Sequence, residues 1–504
     1  MTQEEKKEPA RILILARTGF SFRYLVQSDV LRTLVAGGAN AVVLSTHADE
    51  SMLEEVGPPG SVRIMKYNDS EIYGYMMSSR IQSFFFWVRL LTLAGQPSVV
   101  LKFYARELKT FGDKAGFLRR IFVTPAVLLV AAGASRWRSF RRILIACEER
   151  LFPGAFHDEL FEEYRPDLVI VPSMGNLKGE HFLLRAARRY GVKSVSVVLS
   201  WDNSTTRGLP GGKIDHVVAW TPHMRRELVD GMDIEPSKVF VGGVAHFDRH
   251  VHLQREGPGR TEWFEDRGLD PDRELICFGT MSPTRWQTNT DIIEILGEAI
   301  EKGRFVRPCQ LLVRVHPIYF LKRKGSQKFD DTLEHFRRID QTSSNIFFDY
   351  PEMLSEESLH MADKDMHSLG SALKHSDVLV SFFSTLNLEA SIFDTPCVNI
   401  GFNGFAESGT VPFSRDIEQV VEFDHIQRLL SYNATPIANS SEDLIEKINA
   451  YLIDPGLHRE ERRRLRDSEC GPNLGTAGES LGRFLLGLAE DNPQEGSMSS
   501  AQQA

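Results

Sequence analysis

A chain of 504 residues, 42% of them hydrophobic, carries enough apolar side chain for two ordinary cores and exceeds what one doubly wound sheet takes without large insertions. Its charged fraction of 25% and formal net charge of -9 argue against general polyanion binding, so no nucleic acid partner is expected. The five cysteines are scattered without a CxxC pair and MTQEEKKEPA has no apolar signal core, which predicts a reducing, cytoplasmic setting and no zinc site.

Residues 1–9 read as a polar tail. RILILA (11–16), an apolar-periodic stretch from Asp29 to Gly38, and AVVLST (41–46) read as strand, helix and strand, the opening of a parallel α/β sheet. The loop RTGFSFRYL (17–25) offers Gly19 for close backbone approach to a ligand and Arg23 as a cation for acceptor or phosphate.

From Arg80 to Arg150 the composition changes to thirteen Lys or Arg against four Asp or Glu, interleaved with Phe84-Phe85-Phe86-Trp87, Phe103-Tyr104 and Trp137. Its most apolar run, Ile121 to Ala134, is shorter than the roughly 20 residues that span a bilayer. The segment about 80–150 is therefore expected as a helical insertion in the first domain. Aromatic residues at helical spacing fit packing on that domain; the basic aromatic face also suits peripheral membrane contact through anionic lipid, at the inner face of a cell membrane.

The α/β pattern resumes with DLVIVPS (167–173), a helix over 179–191 and SVSVVLS (194–200), whose strands are continuously apolar as in a sheet covered on both faces. LSWDNSTTRGLPGG (199–212) leaves the end of such a strand, where open α/β sheets usually bind ligands. Asp202 is the best-placed general base for an acceptor hydroxyl, with Trp201, Asn203 and Arg207 to orient acceptor or phosphate; an Asx turn accounts for Asp202 equally well. DHVVAW (215–220), a helix from Pro222 and KVFVGGV (238–244) complete a first domain over 10–248. The polar stretch 249–273, with Gly and Pro and no clear periodicity, is expected as the linker.

A second Rossmann-like domain is expected over 274–475, from ELICFGT (274–280), a helix from about Thr290, QLLVRVHP (310–317), DVLVSFFST (377–385), a further helix and PCVNIGF (396–402). In DVLVSFFSTLNLEASIFDTPCVNI (377–400) a buried strand ends at Ser384-Thr385 and a helix starts at once, offering unpaired backbone N–H groups and two hydroxyls suited to a diphosphate. Glu389, a turn further on, is placed to accept both hydroxyls of a ribose. Helix capping by Ser384 and Thr385 is the plainer account of the same residues.

In QLLVRVHP, strand alternation sends Arg314 and His316 to one face, a cation and an imidazole suited to phosphate. FGTMSPTRW (278–286) contributes Gly279, Thr280 and Ser282 for close approach of a charged group, with Arg285 to close over it. No GK[ST] follows that loop and neither half has GxGxxG after its first strand, so ATPase and dehydrogenase readings lose their support. No DxD stands at a convincing strand end, so no metal is expected. A helix over 476–490 and a polar tail over 491–504 end the sequence.

RVHP, SDVLVSFFSTLNLEASIFDTPCVNI and KVFVGGVAHFD resemble the nucleotide-binding half of the GT-B superfamily, which includes bacterial capsule glycosyltransferases, CDP-glycerol glycerophosphotransferases and nonhydrolysing UDP-GlcNAc 2-epimerases. SWDN followed by glycine resembles a group of bacterial GT-B-like proteins of surface polysaccharides. The resemblance implies two Rossmann-like doubly wound parallel-sheet domains facing a cleft. It implies a metal-independent glycosyltransferase that moves a sugar from a nucleotide-sugar donor to a glycan or lipid-linked acceptor, with no cofactor. Donor phosphates would sit at Ser384 and Thr385, the ribose at Glu389 and the diphosphate at His316. FFST stands where glycerophosphotransferases have DYSS, and the epimerases' acidic and histidine set has no convincing counterpart. Polyol-phosphate transfer, 2-epimerisation and non-catalytic nucleotide or glycan binding stand as the alternatives.

Overall fold

The computed structural model describes residues 8–491 apart from 54–57, 59, 96–98, 115–121, 176–178, 284–287, 323–328, 408 and 412–414. Most of both expected polar tails, and Arg285, lie outside the described residues. The chain divides into two compact units, one of Met1–His246 with Thr476–Ala504 and one of Phe247–Gly475.

The first unit holds seven parallel strands: β1 (Arg11–Leu15), β2 (Asn40–Ser45), β3 (Val62–Lys66), β4 (Leu168–Val171), β5 (Lys193–Val197), β6 (His216–Ala219) and β7 (Val239–Val241). Their order is β3-β2-β1-β4-β5-β6-β7, so the winding reverses between β1 and β4. The side chains of RILIL beyond Arg11 and all of LVIV are buried, as strands covered on both faces require. The helix Ala477–Glu490 belongs to this unit and crosses the helix Asp29–Ala36 closely. A Cβ at Gly482 would stand 2.5 Å from Thr33 Cβ, so a larger residue there separates the helices.

Four helices, Arg80–Leu90, Val99–Lys114, Thr124–Arg136 and Arg138–Leu151, form the insertion between β3 and β4. Buried charges fasten it to the sheet layer. Arg89 Nε donates to Glu148 at 2.5 Å, Arg185 Nη2 approaches the same carboxylate at 3.3 Å, and Arg89 Nη1 donates to the Gly175 carbonyl at 3.4 Å. Leu209 N–H donates to the Arg89 carbonyl at 3.0 Å, and a Cβ on the preceding Gly208 would lie 1.8 Å from that oxygen. The glycine after SWDNSTTR is thus the contact point between the loop and the insertion. Among the described residues no helix is long and apolar enough to cross a membrane.

The second unit holds six parallel strands, β8 (Glu274–Gly279), β9 (Cys309–Arg314), β10 (Ile346–Asp349), β13 (Val378–Ser381), β14 (Cys397–Ile400) and β15 (Ile437–Ala438), with an antiparallel pair, β11 (Met353–Ser355) and β12 (His360–Met361). The main sheet runs β10-β9-β8-β13-β14-β15 and reverses between β8 and β13.

The stretch 249–273, expected as a linker, is instead mostly two helices of this unit, Asp248–Glu256 and Arg260–Glu265. Lys374 Nζ donates to the carbonyls of Leu253, Gly257 and Pro258 at 3.2–3.3 Å, and Trp263 and Phe264 enter the core beside Leu275, Cys277 and Leu379. Short helices with charged outer faces leave too little periodicity to read.

Candidate functional site

Ligands of open α/β sheets bind outside the carboxyl ends of the strands where the winding reverses. In the second unit that point lies between β8 and β13, whose last residues, Gly279 and Ser381, are register partners. A Cβ on Gly279 would stand 2.4 Å from Leu386 Cδ1, so glycine lets the helix Leu386–Ile392 approach β8. Thr280 continues from the strand end and is buried. Its N–H donates to the Arg314 carbonyl at 3.0 Å, and its Oγ1 accepts from His316 N–H at 2.8 Å. Met281 is held by Asn289, which accepts from its N–H and donates to its carbonyl, each at 2.9 Å; Ser282 follows, half-buried. Beside this loop Ser384 Oγ lies 3.2 Å from Ser381 Oγ and accepts from Leu386 N–H at 3.3 Å. Thr385 makes no side-chain cap bond, so helix capping accounts for Ser384 and leaves the Thr385 hydroxyl without that role.

Arg314 and His316, expected as a pair for phosphate, are each engaged within the unit. β9 ends at Arg314, so strand alternation stops before His316, which instead caps a 3-10 turn over Pro317–Phe320. The Arg314 guanidinium is buried and engaged by Asp349 at 2.7 Å and Asp365 at 2.6 Å. It joins β9 to β10 and to the helix Asp363–His375. Burial, with Arg314 adding to it, pushes the His316 imidazole down to about 4, so it is neutral near pH 7. Its Nδ1 accepts from Ile318 N–H at 3.1 Å, which places the ring proton on Nε2 as a donor.

Glu389 also departs from expectation. Only 5% exposed, it receives a 2.9 Å bond from Nε2 of His250, itself fully buried, on the helix that was expected as linker. The carboxylate that was to take a ribose is joined to the body of the second unit. His250 escaped sequence reasoning because its helix did.

In the first unit the winding reverses between β1 and β4. Arg17, just past β1, directs Nε to Glu180 at 3.4 Å and Nη1 to Asp69 at 3.2 Å. Glu180 opens the helix Glu180–Arg189 and takes a hydrogen bond from the Ser173 hydroxyl, just past β4. Burial raises the Glu180 pKa, and Arg17 opposes that shift. Arg207 is the expected residue that joins this group: its charge acts on Glu180, and its Nε is buried with no hydrogen-bond partner.

The rest of the expected acceptor set is hydrogen-bonded or buried within the first unit. Asp202 precedes the short helix Asn203–Thr206 and accepts from the Ser200 and Thr206 hydroxyls, the latter at 3.0 Å, while Trp201 and Asn203 are buried. Gly19 and Arg23 lie in a helix, Gly19–Leu25, and not in a loop, because Thr18 and Ser21 form a capping box; Ser21 N–H donates to Thr18 Oγ1 at 3.3 Å. That T-x-x-S signal was available in the sequence.

No protein-family profile matches the chain, and no curated protein is similar to it in sequence. Solved structures do match. MnaA from S. aureus in a structure with UDP gives a TM-score of 0.54 at 12% identity, covering 96% of this chain and 99% of that one. A Listeria monocytogenes protein described as a UDP-N-acetylglucosamine 2-epimerase gives 0.52 at 11% identity, covering 95% of each chain. The fold is of the GT-B type. Within this GT-B chain, residues of the expected donor set, Gly279, Thr280, Ser384 and Thr385, gather at the second reversal point. Arg17, Ser173 and Glu180 at the first were missed, since sequence reading singled out Gly19 and Arg23 in the loop after β1 and placed Ser173 and Glu180 only within a strand and a helix.

Proposed function

We propose that this GT-B chain is a glycosyltransferase whose second unit holds the diphosphate of a nucleotide-sugar donor. The observation that carries the reading is the group of small and hydroxyl residues at the carboxyl ends of β8 and β13: Gly279, Thr280, Ser381, Ser384 and Thr385. Hydroxyl and N–H donors there suit phosphate oxygens, and His316 adds a neutral Nε2–H donor. Leaving-group stabilisation then comes from oriented donors, with Arg285 as an added cation, and no metal is required. UDP is the nucleotide to test first, because the S. aureus MnaA structure contains it.

In the first unit Asp202 accepts the proton of a glycan or lipid-linked acceptor hydroxyl as that oxygen attacks the anomeric carbon, and the nucleotide diphosphate departs. The Ser200 and Thr206 hydroxyls orient the Asp202 carboxylate. A second reading, 2-epimerisation of the sugar nucleotide, draws support from the description of the Listeria relative.

Calorimetry with UDP, CMP, CDP, GDP and ADP, on wild type and on the pair Ser384→Ala and His316→Ala, tests the donor site. Selective binding of one diphosphate, weakened by both changes, supports it; no binding by any removes it. Incubation of the bound sugar nucleotide alone separates the two activities, since an epimerase converts it without acceptor and a transferase does not. Transfer that survives EDTA and falls in Asp202→Asn completes the assignment.

A further inference from the structure

The insertion contains a cavity that the nucleotide reading leaves unused. About 340 Å³ in volume, it lies among the helices Arg80–Leu90, Val99–Lys114 and Thr124–Arg136, within the ~300–1,000 Å³ range of small-molecule sites. Leu91, Leu101, Ala105, Leu128 and Ala131 supply its apolar walls. The Ser135 hydroxyl, also in the lining, already donates to the Ala131 carbonyl at 3.0 Å and asks for no polar guest. Two cations line the same cavity, Lys102 and Arg136, both on exposed residues and so at its rim.

The surface next to it is apolar and open. Pro125, Leu129, Ala132 and Arg136 follow one another at spacings of four, three and four residues, which puts them on one face of their helix, and all four are exposed. Leu129 is 76% exposed, with Phe122 at 64% before the stripe and Trp137 at 62% after it. Arg136, Arg138 and Arg142 flank Trp137, in a protein whose net charge is -9. Apolar walls, a cationic rim and an aromatic-basic border match one ligand chemistry: a hydrocarbon chain carrying an anionic head.

We propose that this cavity takes the hydrocarbon chain of an anionic membrane lipid, with Lys102 and Arg136 on its head group and the Leu129 stripe lying against the bilayer surface. The site is separate from the Ser384 donor site and holds whether or not that reading stands. Lipid occupancy withdraws the chain's methylenes from water and sets its anionic head beside the two cations of the rim, Lys102 and Arg136.

Flotation of the full chain with phosphatidylcholine vesicles and with vesicles of equal phosphatidylcholine and phosphatidylglycerol tests this. Binding is expected only to the second, and Arg136→Glu is expected to abolish it. Ala132→Trp blocks the cavity at its exposed lip yet adds apolar surface, so it decides between insertion and simple adsorption. Insertion predicts a loss of at least about tenfold in affinity, and adsorption predicts a gain. Unchanged or tighter binding by Ala132→Trp, or equal binding of wild type to both vesicles, overturns the proposal. Should that variant not fold, calorimetry of wild type with alkyl phosphates of increasing length decides. Affinity is expected to rise about fourfold per methylene until the cavity is filled, and independence of chain length overturns the proposal.

Discussion

At the carboxyl end of β1 stand Arg17 and Glu180, with Ser173 from the end of β4, all shielded from solvent and bonded to one another. At the carboxyl end of β8 stand Gly279, Thr280 and the hydroxyls of FFST, with Ser384 and Thr385 half-buried. Both positions are winding reversals of a parallel sheet. The first is held by buried charges bonded to one another, so removing one member leaves polar atoms of the others without that bond. The second carries the half-buried hydroxyls of Ser384 and Thr385, neutral groups that cost little to alter. Substitution at the first reversal point is therefore expected to be read in stability, and at the second, under the proposed donor site, in binding.

Glu180→Ala should break that contrast most strongly: it takes the partner from Arg17 Nε and from the Ser173 hydroxyl, leaving Asp69 on Arg17 Nη1, and costs about 1–3 kcal/mol in denaturant unfolding of the first unit, with diphosphate affinity of the folded protein unchanged. A loss of nucleotide affinity instead would move the donor site to the first unit. Glu389→Ala tests the exception in the second unit. Leaving His250 without its partner should cost about 1–3 kcal/mol, whereas Glu389→Gln keeps a hydrogen bond and should cost less. Nucleotide binding lost in the folded Gln variant would return Glu389 to the ribose.

Acid should weaken both units. Burial pushes His157 in the first, and His316 and His375 in the second, down to about 4. Above the unfolded value of about 6.5 all three are neutral in either state. Between there and pH 4 only the unfolded chain takes up the protons, so the melting temperature should fall steadily as pH drops through that window. A flat profile would mean these rings are open to solvent. The smallest stability effect belongs to Ser384→Ala, within about 0.5 kcal/mol of wild type, with diphosphate affinity reduced about tenfold.

The central strands were legible because both faces are covered: LVIV, ELICFG and VLVS are apolar runs with no alternation to misread. The edge strands β3 and β10 were not singled out, being half-covered and carrying Arg63, Lys66 and Asp349 among their apolar positions. The same contrast holds for site residues. Ser384 and Thr385 sit at a strand-to-helix junction that the local pattern marks, so their place at the reversal point could be anticipated. The partners of Arg314 and Glu389 could not, because Asp365 and His250 come from helices distant in the chain. A residue's neighbours along the sequence say where its backbone ends up, and contacts across the fold determine whether its charge is available.

The crossing of Ala477–Glu490 over Asp29–Ala36 sets an order of events during synthesis. The first unit's sheet emerges from the ribosome long before the helix that covers the surface around Thr33 and Gly37, because Phe247–Gly475 is translated in between. At about 5–20 residues per second that interval is roughly ten to fifty seconds. The second unit is one uninterrupted segment and has no such wait. Through that interval the surface around Thr33 and Gly37 stays without the helix that covers it in the finished chain.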